Sequence, residues 1–205
     1  MPSVPRLAVC ALAGAAAVLA TAPPASALVE LRFSTAPALP SLPAVALDAA
    51  PQTSQTAMTN FAVEDTRLTK SGWNVTVQGE TGSGRSAVFA QYCPKASCGS
   101  AAEGYVPSGR TLPAGSLTLN STGAVFTGGL GTAPTLQCST GCPIDGATPT
   151  KVASDATGLL SGEGIWTTSG FSAGSLSLAT PVTMRALPNG EVYRANILWT
   201  LSTGP

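Results

Sequence analysis

Beyond its first 27 residues the sequence has no stretch in which apolar side chains recur at the helical period. They alternate instead, in short runs broken by turn residues. The last run is the clearest. Over residues 191–201, Tyr193, Ala195, Ile197, Trp199 and Leu201 fall on one face, and Arg194, Asn196 and Thr200 on the other. That two-residue period belongs to a strand with one buried face. An earlier segment, residues 73–78, opens on the same Trp-x-aliphatic start. Many such runs with turn signals between them predict an all-β fold. The expected architecture is a single β-sandwich of short, mostly antiparallel strands with long disulfide-bearing loops.

The other expected strands cover residues 28–33, 58–63, 116–119, 125–126, 135–138, 159–168, 175–178 and 182–186. Residues 86–91 are expected to pair with 73–78 across a glycine-rich turn. That turn, Gly79-Glu80-Thr81-Gly82-Ser83-Gly84-Arg85-Ser86, looks like a phosphate loop. It has Arg85 where lysine belongs, and a strand rather than a helix after it, so it reads as a hairpin loop. Asn189-Gly190 is a two-residue hairpin signal leading into the final strand.

Arg6, the alanine-rich apolar stretch after it and Ala25-Ser26-Ala27 have the order of a secretory signal with a small-x-small cleavage site. Residues 1–27 are therefore expected to be removed, Cys10 with them. Residues 28–57, rich in alanine and proline, read as a linker or edge segment. Residues 58–205 form the expected domain. Past the signal no segment has the roughly 20 apolar residues needed to span a membrane. The terminal strand stops four residues before Pro205. That leaves no room for a C-terminal anchor or sorting tail, so attachment to any surface is expected to be non-covalent.

Charged residues make up 10% of the chain, and losing Arg6 leaves 9 basic against 10 acidic residues. Such a balance offers no basic patch for nucleic acid. The chain has no histidine, which removes the usual hydrolase triad. Glu64, Asp65, Glu103, Asp155 and Glu163 are candidates for a carboxylate-dependent glycan hydrolase. Each reads more simply as a turn or surface residue, with Asp65 capping a turn. No catalytic residue, cofactor or metal is expected.

Four cysteines remain after export: Cys93, Cys98, Cys138 and Cys142. Three pairings are possible, and the short spacings favour Cys93–Cys98 and Cys138–Cys142. Two cysteine pairs also suit a zinc site, but an oxidising compartment favours disulfides. Asn74-Val75-Thr76 and Asn120-Ser121-Thr122 match the glycosylation triplet, and Asn74 reads as the solvent-side neighbour of Trp73. Trp73 and Trp199 read as core residues on amphipathic strands. Trp166, Tyr92 and Tyr105, near glycines or the first cysteine loop, are the expected exposed aromatics.

Phe61-Ala62-Val63-Glu64-Asp65-Thr66-Arg67 followed by Gly72-Trp73-Asn74-Val75-Thr76-Val77 resembles the first signature of the WxL domain family. The end of the chain, from Tyr193 through Trp199-Thr200-Leu201 to Pro205, resembles its second. Val75 stands where the first signature has leucine. The alanine-rich, lysine-poor composition suits an actinobacterial-type variant. The resemblance implies a secreted surface protein, extracellular or wall-associated, held non-covalently on peptidoglycan, another cell-wall polymer or another exported wall protein. The positions it implies are Asp65, Arg67, Trp73, Val75, Trp199 and Leu201. The alternative is a structural or interaction module of an exported complex, without direct glycan binding.

Overall fold

The computed structural model describes residues 30–45, 50–67, 69, 71–99, 102–158, 161–188 and 190–204. The expected export signal lies outside them. The described residues form fifteen strands, numbered β1 to β15 in chain order, and no helix. Among them there is accordingly no helix long and apolar enough to cross a membrane.

The strands make four antiparallel sheets. The first has the order β1 (Leu31–Thr35), β3 (Ala62–Asp65), β12 (Glu163–Ser169), β8 (Val125–Leu130). The second runs β10 (Cys142–Pro143), β7 (Leu117–Leu119), β13 (Leu176–Thr180), β2 (Gln52–Thr56). The third runs β15 (Ile197–Thr203), β4 (Trp73–Gly79), β11 (Thr150–Asp155), β9 (Thr135–Leu136). The fourth is β14 (Val192–Arg194), β5 (Ala90–Cys93), β6 (Gly104–Tyr105).

The first and third sheets meet in a sandwich-like arrangement through an aromatic cluster. Phe61, just before β3, lies 6.4 Å from Phe33, 5.9 Å from Phe126 and 6.0 Å from Trp199, centroid to centroid. Trp73 meets Phe126 edge-on at 5.8 Å. Edge-to-face pairs of this kind add to the stabilisation from burial alone. The second sheet contributes Leu117, Leu119, Leu176 and Leu178 to the same core. Along β13 the alternation is direct: Leu176, Leu178 and Thr180 are buried, while Ala179 is exposed. Residues 28–57, expected to be linker or edge, carry β1 and β2, each at the edge of its sheet. Leu39 and Leu42 between them pack on the core.

The final run of alternating residues is two strands rather than one. It breaks at Ala195-Asn196, where the Asn196 backbone exchanges hydrogen bonds with Glu80 and Ser86 at 2.7 Å each. β14 pairs with β5, and β15 pairs with β4. The two-residue break keeps the parity. Tyr193, Ile197, Trp199 and Leu201 therefore remain half-buried against the core, and Arg194, Leu198 and Thr200 face out.

Residues 86–91 do not pair with β4, because β11 and β15 occupy both of its edges. β5 joins the fourth sheet instead. The glycine-rich turn closes on itself through a Gly82–Arg85 bridge and an Arg85–Glu80 ion pair. Residues 182–186 form a turn rather than a strand, with the Met184 amide donating to the Pro181 carbonyl at 2.9 Å. The expected hairpin into the final strand therefore has no first strand. Its Asn189 lies outside the described residues.

Trp166 and Tyr92 are buried and Tyr105 is half-buried, against the expectation of exposed aromatics. The reason for Trp166 lies across the sheet. β8 carries Gly128-Gly129 opposite it, and a Cβ on Gly129 would sit 2.1 Å from the indole Cε2. Gly129 also has φ +53°, which β-carbons disfavour. Gly129→Ala is expected to cost about 2–4 kcal/mol, the sum of overpacking and backbone strain. A urea-unfolding midpoint unchanged from wild type would contradict this packing.

Both favoured disulfides are formed. Cys93–Cys98 has its Cα atoms 5.5 Å apart, and Cys138–Cys142 has them 5.3 Å apart. All four thiols are thereby committed, which removes the zinc alternative. The first bridge closes the loop after β5. The second holds β10 beside the loop after β9, with Cys138 in the core.

Candidate functional site

The six positions implied by the two signatures fall in one place. β4 lies between β11 and β15, so Trp73 is flanked by Asp155 and Thr203, Val75 by Ala153 and Leu201, and Val77 by Trp199 on β15. Trp73 and Val75 are wholly buried, and Trp199 and Leu201 are half-buried against the same core. The face they share is therefore interior, and Trp73 offers no surface to a ligand.

Asp65 and Arg67 fasten this corner. Asp65 ends β3, and its Oδ1 accepts the Arg67 amide at 3.0 Å, the turn cap expected from sequence. The Arg67 side chain then returns to the same carboxylate in a two-pronged pair, Nε to Oδ1 at 2.9 Å and Nη2 to Oδ2 at 2.8 Å. Its remaining donors reach the Gly72 carbonyl at 2.9 Å and Thr203 Oγ1 at 3.0 Å. A planar guanidinium can serve all three partners at once, which an ammonium could not do with the same geometry. The result is a clasp joining β3, the turn before Trp73 and the end of β15. The Gly204 amide closes it by donating a hydrogen bond to the Gly72 carbonyl at 3.1 Å. Bonding to Asp65 raises the pKa of Arg67, so the guanidinium keeps its charge at any ordinary pH. Asn74, expected on the solvent side, is buried, and its amide donates to the Gly204 carbonyl.

Asp155 corrects a second expectation, since it is buried rather than a surface or turn residue. Ser161 Oγ donates to its Oδ1 at 2.8 Å, and Oδ2 has no hydrogen-bond partner among the described residues. Gly162 lets the carboxylate in, because a Cβ there would lie 2.3 Å from Oδ2. Burial, and more weakly the charge of Asp65, push the Asp155 carboxyl above its usual range, while the Ser161 bond opposes. Folding therefore raises its proton affinity. The cost of burying the charge is present in full above the folded pKa, and it disappears as pH falls toward the unfolded value near 4. Asp155→Asn is expected to differ most from wild type in urea midpoint at pH 7, with the difference shifting in favour of wild type as pH approaches 4. A difference constant across that range would contradict the assignment.

The remaining candidate carboxylates are engaged. Glu64 pairs with Arg32 at 2.7 Å. Glu103 accepts the Tyr92 hydroxyl at 2.7 Å. Glu163 also has a partner.

The open concave surface lies elsewhere, on both sides of Tyr193. One side is an apolar groove of about 910 Å³ between the 39–45 segment, β13 and the start of β15, with Leu42, Phe89, Leu178, Met184 and Ile197 in its walls. The other is a polar pocket of about 460 Å³ that shares Met184, Arg185 and Tyr193 with it and adds Arg110, Thr111 and Thr183. Both volumes lie within the range of natural ligand sites. Tyr193 is anchored by a 3.2 Å bond from its hydroxyl to the Arg185 carbonyl. Sequence reasoning placed Tyr193 on the inward face and singled out neither arginine. No local signal marks them, since positions 110 and 185 meet only through the turn at 181–186. The chain matches no family model, no curated protein and no solved structure.

Proposed function

We propose that this chain is a secreted surface protein that associates non-covalently with the bacterial cell wall, through peptidoglycan or a wall-bound partner protein. The observation that carries the proposal is the clasp. The two segments that resemble the WxL signatures lie far apart in the sequence, yet they are register neighbours, with Arg67 bonded to Thr203. That neighbouring placement supports reading the two segments together. Two disulfides and an all-β fold fit an extracellular protein. In this proposal the signature residues build the domain, and the concave surface beside Tyr193 makes the contact. No reaction is assigned to the carboxylates.

The test is sedimentation with purified peptidoglycan sacculi. The chain lacking residues 1–27 is expected in the pellet. Recovery wholly in the supernatant, with and without other wall proteins present, would remove the proposal.

One observation favours the alternative, an interaction module. Val125, Leu130 and Ile165 are 53%, 63% and 49% exposed on the neighbouring strands β8 and β12. β8 is a sheet edge, and an apolar edge suits pairing with another exported protein. Co-purification of a partner from a wall extract, without binding to bare sacculi, would select this reading.

A further inference from the structure

The described residues include six arginines, and they divide sharply. Arg32 pairs with Glu30 and Glu64, Arg67 with Asp65, and Arg85 with Glu80. Arg194, at the rim of the groove, lies over the Tyr92 ring at 4.6 Å. Arg110 and Arg185 alone have neither a carboxylate within ion-pair distance nor an aromatic face among the described residues. Both line the same 460 Å³ pocket. No carboxylate lines that pocket, and the hydroxyl residues Thr111, Thr183 and Tyr193 do.

The Arg110 guanidinium is anchored by a hydrogen bond, and Arg185 is positioned through its backbone. Arg110 Nη1 donates to the Ala186 carbonyl at 2.9 Å, and the Arg110 amide donates to Gln91 Oε1 at 3.0 Å. The Arg185 backbone is held by the Tyr193 hydroxyl. Three of the other described arginines pair with carboxylates and the fourth stacks on a ring, so two unpaired forks beside hydroxyls make a site for a planar or tetrahedral oxyanion. Tyr193 separates this site from the apolar groove, so it lies where a ring face would meet the apolar face of a sugar.

We infer that this pocket binds an acidic sugar of a wall glycan, one carrying a carboxylate or a phosphate. The inference rests on the proposed wall association and names the ligand chemistry of that contact. The anion takes the Arg110 and Arg185 forks, the threonine hydroxyls bond the sugar hydroxyls, and neighbouring units run into the groove past Tyr193.

The test is titration calorimetry of the chain lacking residues 1–27 against three soluble polymers: polygalacturonate, poly(glycerol phosphate) and neutral dextran. Binding is expected to at least one acidic polymer and not to dextran, weakening as salt is raised. The two acidic arms distinguish carboxylate from phosphate. Arg185→Gln is expected to lower the acidic-polymer affinity by about tenfold or more, the scale of a lost charged hydrogen bond. Its thermal midpoint should be unchanged, because the Arg185 side chain is exposed and has no hydrogen-bond or ion-pair partner among the described residues. Arg110→Gln, with the same readout, is the second variant. Equal affinity for dextran, no binding to either acidic polymer, or unchanged affinity in both variants would overturn the inference. Sacculi distinguish the two levels. Wild type that pellets with sacculi while failing the polymer test leaves wall association standing and removes the acidic sugar, whereas wild type that does not pellet removes both.

Discussion

Arg67→Met is expected to lower the unfolding free energy by about 3–5 kcal/mol, the range for stripping one partner from a buried ion pair. The Asp65 and Arg67 side chains are 8% and 12% exposed. Removing the guanidinium leaves the carboxylate without its counter-charge, takes the donor from Thr203 Oγ1, and leaves the Gly72 carbonyl with the Gly204 amide alone. The end of β15 would lose its tie to the β3 turn, so fraying should begin there. Two comparisons isolate the mechanism. Arg67→Lys should recover little, because an ammonium cannot reproduce the two-pronged pair together with two further bonds. Asp65→Asn combined with Arg67→Met should be less damaging than Arg67→Met alone, because the stranded charge is gone. Urea unfolding of all three variants is the measurement, with hydrogen exchange at Leu201–Gly204 as the local readout. Equal stability of Arg67→Met and wild type would mean that the clasp is ornamental.

Trp73→Ala should be at least as damaging, by about 3–5 kcal/mol. Trp73 is wholly buried, packs edge-on against Phe126 at 5.8 Å, and lies between Asp155 and Thr203 in the third sheet. The neighbours cannot close the gap cheaply. The sheet is hydrogen-bonded on both sides of Trp73, and Phe126 is already committed to Phe61. Trp73→Phe should cost less, since it keeps an aromatic ring against Phe126. The same pair of variants separates a core tryptophan from a sugar-stacking one. A stacking residue would lose ligand affinity on substitution while stability held. Here stability falls first, and any loss of binding follows the unfolded fraction.

The legible parts of the fold share a physical cause. Alternation over residues 191–201 is a local signal, since burial of one face is written every second residue, and it marks the inward facing of Tyr193, Ile197, Trp199 and Leu201 though not the break into two strands. The Cys93–Cys98 and Cys138–Cys142 bridges were legible because short spacings leave little room for other partners. The Asp65 cap was legible because an aspartate two residues before a free amide commonly makes that turn.

What stayed hidden depends on residues distant in sequence. Nothing near 73–78 says that β11 and β15, rather than 86–91, flank it. Nothing in Glu191–Leu201 marks the change of sheet at Asn196, because a two-residue crossing leaves the alternation in phase. Trp166 reads as exposed among its own glycines, and only Gly128-Gly129 on the facing strand buries it. Asp155 sits in a turn-like run, Asp155-Ala156-Thr157-Gly158, and is buried by a glycine several residues later. Of the concave surface, the alternation marks Tyr193, Ala195 and Ile197 as inward-facing and says nothing of the rest. Arg110 and Arg185 acquire meaning from the absence of nearby carboxylates, which no linear pattern records.

Attachment without a covalent bond is the central proposal, and envelopes of the producing cell test it directly. Washed envelopes should contain the chain, and boiling in detergent should release all of it at the mass expected after loss of residues 1–27, with no muralytic enzyme added. A chain found wholly in the culture medium, or freed from the envelope only by cutting the peptidoglycan, would contradict the account.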